Sequence, residues 1–178
     1  MLPRFLIALI AALLLAAPAG ALSRTLLERA HANAIASFEQ ARRTLGPMVF
    51  EVDLSTYGDA LARQRFDSAY WGGRITVDFL IRETAEGSCA RFAAFVRLPP
   101  EEGRLALVFC PQFFSPDADG LRRLTVLHEM VHVVAGPDEC RAMAFAAAIE
   151  QAAHGHFTPV DTYWRAHNCA ASAYHLPR

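Results

Sequence analysis

The chain reads as an α+β domain, a small sheet with helices packed against it. Three patterns lead to that class. Apolar residues recur at helical spacing near the N-terminus, a period-two run and a hairpin occupy the middle, and two apolar helices joined by a short break follow.

In chain order, Leu26, Leu27, Ala30, Ala34, Ile35 and Phe38 place a helix over about Ser23 to Leu45, stopped by Gly46-Pro47. Met48 to Leu54 reads as a strand and Ala60 to Tyr70 as a helix. Ile75, Val77, Phe79 and Ile81 alternate with other residues, as in a half-buried strand. A strand-like run from Cys89 to Leu98, the turn residues Pro99 to Gly103, and a return from Arg104 to Cys110 make a hairpin, so the sheet is expected to be short and antiparallel. Pro116-Asp117-Ala118-Asp119 has helix-start chemistry, and Leu121 to Ala135 follows as a helix. Gly136-Pro137 breaks it, and Asp138 can cap a second helix running to about Ala153. A last helix is expected over Val160 to Ala171. No internal repeat or linker divides the chain.

The chemistry concentrates at His128-Glu129-Met130-Val131-His132. On a helix this spacing sets two imidazoles one turn apart on one face with a carboxylate beside them, an arrangement that holds zinc and activates water. Leu124, Leu127, Val131 and Ala135 share the histidine face, while Val126, Met130, Val133 and Val134 make the other side apolar, so the helix is buried. Two buried imidazoles and a carboxylate cost free energy unless something compensates them, and a cation does so directly. One Zn2+ per chain is therefore expected.

A catalytic zinc takes a third protein ligand and keeps an open position. Glu139 and Glu150 both lie on the second helix, roughly 16 Å apart along its axis at about 1.5 Å per residue, so only one reaches the metal. Glu139, in the opening turn beside the end of the first helix, is the nearer. Asp138 is the neighbouring alternative, better used as the cap.

The N-terminus carries Arg4, an apolar run from Phe5 to Ala17, and the small residues Ala17-Pro18-Ala19-Gly20-Ala21. Residues 1–21 read as a secretory signal peptide cleaved after Ala21, the apolar run being shorter than the roughly 20 residues that span a bilayer. Residues 22–178 then form one domain, and its 16 Arg and 18 acids leave a formal charge of −2. Such a balance gives no reason to expect nucleic acid or an anionic membrane as partner. A secreted or periplasmic monomer acting on peptide or protein is expected. Four cysteines in an exported chain imply disulfides, with three pairings possible. The hairpin brings its two ends together, which favours Cys89 with Cys110 and leaves Cys140 with Cys169.

These residues carry a resemblance. Cys110-Pro111-Gln112-Phe113-Phe114, then Thr125 to His132, then Gly136-Pro137-Asp138-Glu139 and an Ala-rich helix resemble the aspzincins, the deuterolysin and peptidyl-lysine metallopeptidase family. The resemblance implies a zincin-like fold and a zinc metallopeptidase with ligands His128, His132 and Glu139 and with Glu129 as the base. Glu139 stands where the family has Asp. The family's hairpin disulfide falls on Cys89 and Cys110. Val160-Asp161-Thr162-Tyr163 is similar to a family segment whose Asp helps select a basic residue after the scissile bond, a role that the resemblance gives to Asp161; a helix-start cap is the alternative. The family's oxyanion-stabilising Tyr is Ala142 here, which leaves Arg141 or Tyr163 to supply that donor. Glu139-Cys140-Arg141-Ala142-Met143-Ala144-Phe145-Ala146 also resembles a helix of gluzincin-like peptidases that cleave bacterial repressors, and again points to Glu139. The expected function is zinc-dependent endopeptidase; the alternatives are a zinc-stabilised secreted binding protein and a cell-wall peptide or amide hydrolase.

Overall fold

The computed structural model describes residues 19–178. The expected leader over residues 1–21 lies outside this range except for Ala19, Gly20 and Ala21, which open helix α1 (Ala19–Ala41). Among the described residues, no helix is long and apolar enough to cross a membrane. The architecture is α+β, as the sequence patterns imply.

Between α1 and the main sheet the chain departs from expectation. The strand expected over Met48 to Leu54 is a tiny hairpin, β1 (Met48–Val49) paired with β2 (Val52–Asp53). Phe50 and Glu51 turn it with φ of 48° and 64°, the left-handed pair a two-residue hairpin loop uses. The helix expected over Ala60 to Tyr70 is instead α2 (Leu54–Arg63). Asp53 sets its start by accepting from the Thr56 N–H at 2.7 Å, and Gln64 ends it in the left-handed region. The rest of that run is a strand, β3 (Arg65–Ser68), whose Phe66 and Ser68 are buried and whose Arg65 and Asp67 are exposed. A period of two overrides the helical reading there.

The main sheet adds β4 (Gly73–Ile81), β5 (Ala94–Glu101) and β6 (Arg104–Phe109) in the order β3-β4-β6-β5. The β5–β6 hairpin is antiparallel as expected, but β4 and β6 are parallel, so the sheet is mixed rather than antiparallel. Residues 82–93 are the cause. They include a 3₁₀ turn (Gly87–Ala90) and carry the chain across to the sheet edge, the length of crossover that parallel pairing needs. Ile75, Val77, Leu105, Leu107 and Phe109 face the common core. Val108, of opposite parity, packs outside with Cys89 and Cys110. Those cysteines are bonded, Cα to Cα 5.2 Å, and Cys140 is bonded to Cys169; both expected pairings are present.

Helices α3 (Asp119–Ala135) and α4 (Glu139–His154) follow. The α3 start has no side-chain cap, because Asp119 lies in its first turn and pairs with the buried Arg122. At the core's centre the Tyr57 ring lies between Phe38 and Phe145, at 5.1 and 4.6 Å, and its hydroxyl donates to the Leu127 carbonyl at 2.8 Å. One buried phenol thus ties α1, α2 and α4 to the helix that carries the His-Glu-x-x-His segment. The expected last helix is shorter, α5 (Asp161–Ala166), and a separate 3₁₀ turn follows at Cys169–Ala171. Asn168, at φ 54°, divides the two.

Candidate metal centre

Two consecutive helices bring the centre together. His128 and His132, one turn apart on α3, are 9 % and 6 % exposed. Gly136, at φ +85° and ψ −168°, ends α3 in a conformation open to glycine. A Cβ there would also lie 2.2 Å from the Tyr70 hydroxyl oxygen. The break turns the chain at once into α4, where the Asp138 carboxylate accepts from the Arg141 N–H at 2.9 Å. Asp138 is therefore the cap, and Glu139, the first residue of the helix, faces back toward the histidines.

His128 Nε2 lies 3.0 Å from His132 Nε2 and 3.1 Å from Glu139 Oε2, and His132 Nε2 lies 3.5 Å from the same oxygen. Ligands about 2.0–2.1 Å from a tetrahedral ion stand about 3.3 Å apart. The three separations bracket that value. His128, His132 and Glu139 are thus a group that can hold a metal ion. His132 Nδ1 is 2.9 Å from the Gly136 carbonyl oxygen; donation to that oxygen places the proton on Nδ1 and leaves Nε2 free as a ligand. The Gly-Pro pair marked the break in sequence, but not this orienting contact.

Charge follows the same geometry. Burial alone would raise the Glu139 pKa, but hydrogen bonds and charge from His128 and His132 outweigh it and hold the carboxyl well below its usual range. Burial likewise pushes the His132 imidazole down, and Glu139 and Glu129 overcome it, raising its pKa. Glu129 is 7 % exposed. Burial pushes its carboxyl upward against the two histidines and the Val96 backbone N–H. That last contact sets Glu129 beside β5, which no other described strand pairs on its outer edge.

Glu150 is far from this group. Fully buried, it accepts from Arg123 Nε at 2.8 Å and from the Thr158 N–H at 2.7 Å. Arg141, expected near substrate, is committed elsewhere: its guanidinium donates to the Ala135 carbonyl, the Tyr174 hydroxyl and Glu51. A sequence reading could not see that bond set because Glu51 and Tyr174 are remote in the chain.

A cleft of about 440 Å³ opens beside His128 and Glu129, and Asp161 and Tyr163 both line it. Asp161 is exposed and is not the cap of α5, a position held by Val160. The Tyr163 hydroxyl donates to Glu139 Oε2 at 3.1 Å. Burial and the charges of Glu139 and Glu129 push that phenol well above its usual pKa, so it remains a donor at neutral pH. The Cys140–Cys169 bond fastens the segment after α5 to the second residue of α4, holding Tyr163 and Glu139 in one unit. Comparison with protein-family models, curated proteins and solved structures finds no match.

Proposed function

We propose that the chain is an exported zinc-dependent endopeptidase, zincin-like and similar to the aspzincins, working in a periplasm or outside the cell. One observation carries the reading: two imidazole nitrogens and one carboxylate oxygen converge within 3.5 Å of one another, with a second, buried carboxylate beside them at an open cleft. Two histidines and a carboxylate with a position left for solvent form the donor set of catalytic zinc, whereas structural zinc sites are closed by four protein ligands.

His128, His132 and Glu139 would hold the ion. Zinc bound there lowers the pKa of a coordinated water to about 7 and polarises a carbonyl. Glu129 takes the proton of the attacking water and delivers it to the leaving amine, and its burial suits both halves of that exchange. Tyr163, still protonated and in reach of the ligand set, donates to the oxyanion in place of the residue absent at Ala142. The free edge of β5, beside Glu129, offers backbone groups to an extended peptide. Both disulfides fit an oxidising compartment.

The test is Glu129→Gln, which should keep one zinc and lose hydrolysis of casein; retained hydrolysis would remove the mechanism. Parallel incubation with peptidoglycan fragments, with and without chelator, separates a protein substrate from a cell-wall one. A zinc-loaded sample that hydrolyses neither would point to a docking role.

A further inference from the structure

The faces of α3 and α4 that present the metal group continue as the walls of the cleft. On α3, Leu121 and Leu124 precede His128 by two turns and one turn; on α4, Met143 and Ala146 follow Glu139 by one turn and two. The pocket must therefore adjoin the centre. Its buried wall is apolar: Leu124, Met143, Ala146 and Val160 are 5, 2, 0 and 9 % exposed. The only buried charged or imidazole groups lining it are Glu129 and His128, which the centre uses. Arg91 and Asp161, of opposite sign, are both exposed and so lie at the rim. Leu121 and Tyr163 are also more than a third exposed, which leaves apolar surface uncovered at the mouth.

From this arrangement we infer that the pocket takes an uncharged, apolar side chain of leucine or phenylalanine size from a residue flanking the scissile bond, with Met143 and Ala146 setting its depth. The inference rests on the peptidase reading above. An ammonium or guanidinium carried to the floor would be stripped of water against Leu124, Met143 and Ala146 with no carboxylate there to pair with it. An apolar side chain meets no such penalty and covers surface that is otherwise wet. Asp161, at the rim, cannot supply the missing partner to a group seated on the floor.

The experiment has two arms. Cleavage of a mixed peptide library, read by mass spectrometry, should show leucine, methionine or phenylalanine enriched about tenfold over alanine at one fixed position beside the cut. Ala146→Leu should shift that preference toward alanine. Leu121→Asp, at the exposed mouth where folding is not at stake, should lower kcat/KM for a leucine peptide more than for an alanine one. Enrichment of lysine or arginine that disappears in Asp161→Asn would overturn the inference, as would a profile unchanged in both pocket variants. The second arm needs no turnover: binding of amino-acid hydroxamates bearing leucine, phenylalanine, alanine or lysine side chains to the zinc-loaded protein. The apolar pair should bind at least tenfold more tightly than the others. If peptides are not cut but this order holds, the peptidase reading fails and the apolar pocket stands. If the hydroxamates bind without discrimination, the pocket inference fails whatever the library shows.

Discussion

The Tyr163 hydroxyl donates to the Glu139 carboxylate across 3.1 Å, from a helix that lies 24 residues further along the chain. This contact makes α5 part of the metal centre. It also brings a neutral donor to a place where negative charge develops during hydrolysis. Tyr163→Phe should leave zinc content and KM nearly unchanged and lower kcat by about 10²-fold, the usual effect of losing one oxyanion donor. Steady-state kinetics on a casein-derived peptide checks it. A purely structural Tyr163 would instead change KM, stability or zinc content.

The Gly136 carbonyl fixes which His132 nitrogen is free. Gly136→Ala forces a Cβ into the Tyr70 hydroxyl at a positive φ. It should lower unfolding free energy by more than about 1 kcal/mol and weaken zinc binding about 10- to 100-fold, as loss of a ligand's orienting partner does. Denaturant titration and competition with a zinc indicator read the two effects separately.

The Cys140–Cys169 bond closes a loop of 29 residues next to Glu139, and the Cys89–Cys110 bond closes 21 residues behind the sheet. Replacing either pair by Ser should cost about 2–4 kcal/mol of stability. Activity at a temperature where both variants are folded should distinguish them. Loss of Cys140–Cys169 releases the α5 segment from the ligand helix and should lower kcat much further than loss of the other bond.

His31 Nε2 meets the Leu61 carbonyl oxygen at 2.6 Å, and burial lowers the pKa of its imidazole despite that bond. The unfolded chain then binds the proton more readily than the folded one. Its contribution to stability is full above the unfolded value near 6.5 and is lost as pH falls toward and through the folded value. Comparison with His31→Gln, which keeps a donor and does not titrate, should show the wild-type advantage shrinking from pH 7.5 to pH 5. Urea midpoints at fixed pH values test the sign.

Much of the centre was legible because it is local. The i, i+4 histidines, the Gly-Pro break and the Asp138 cap lie within eleven residues, and helical geometry alone turns them toward one another. Both disulfides followed from the hairpin. What escaped depends on contacts between distant segments. Nothing near Arg141 announces that Glu51 and Tyr174 will hold its guanidinium, and nothing near Glu150 announces Arg123 as its buried partner. The α2–β3 region was misread because Leu61, Phe66 and Tyr70 fit a helical spacing, while the signals that decided it were the Asp53 cap and the alternation from Arg65 to Ser68. The parallel β4–β6 pair escaped because the crossover through residues 82–93 has no helix to mark it.

Metal analysis of single-site variants purified without a His tag tests the central claim most directly. Wild type and Asp138→Ala should carry one zinc per chain, and Glu139→Ala should lose it. Glu150→Ala should keep its zinc while losing about 3 kcal/mol of stability, because Arg123 is left without its buried partner. Zinc retained at full stoichiometry in Glu139→Ala, or stripped by Glu150→Ala while the protein remains folded, would contradict the centre formed by His128, His132 and Glu139.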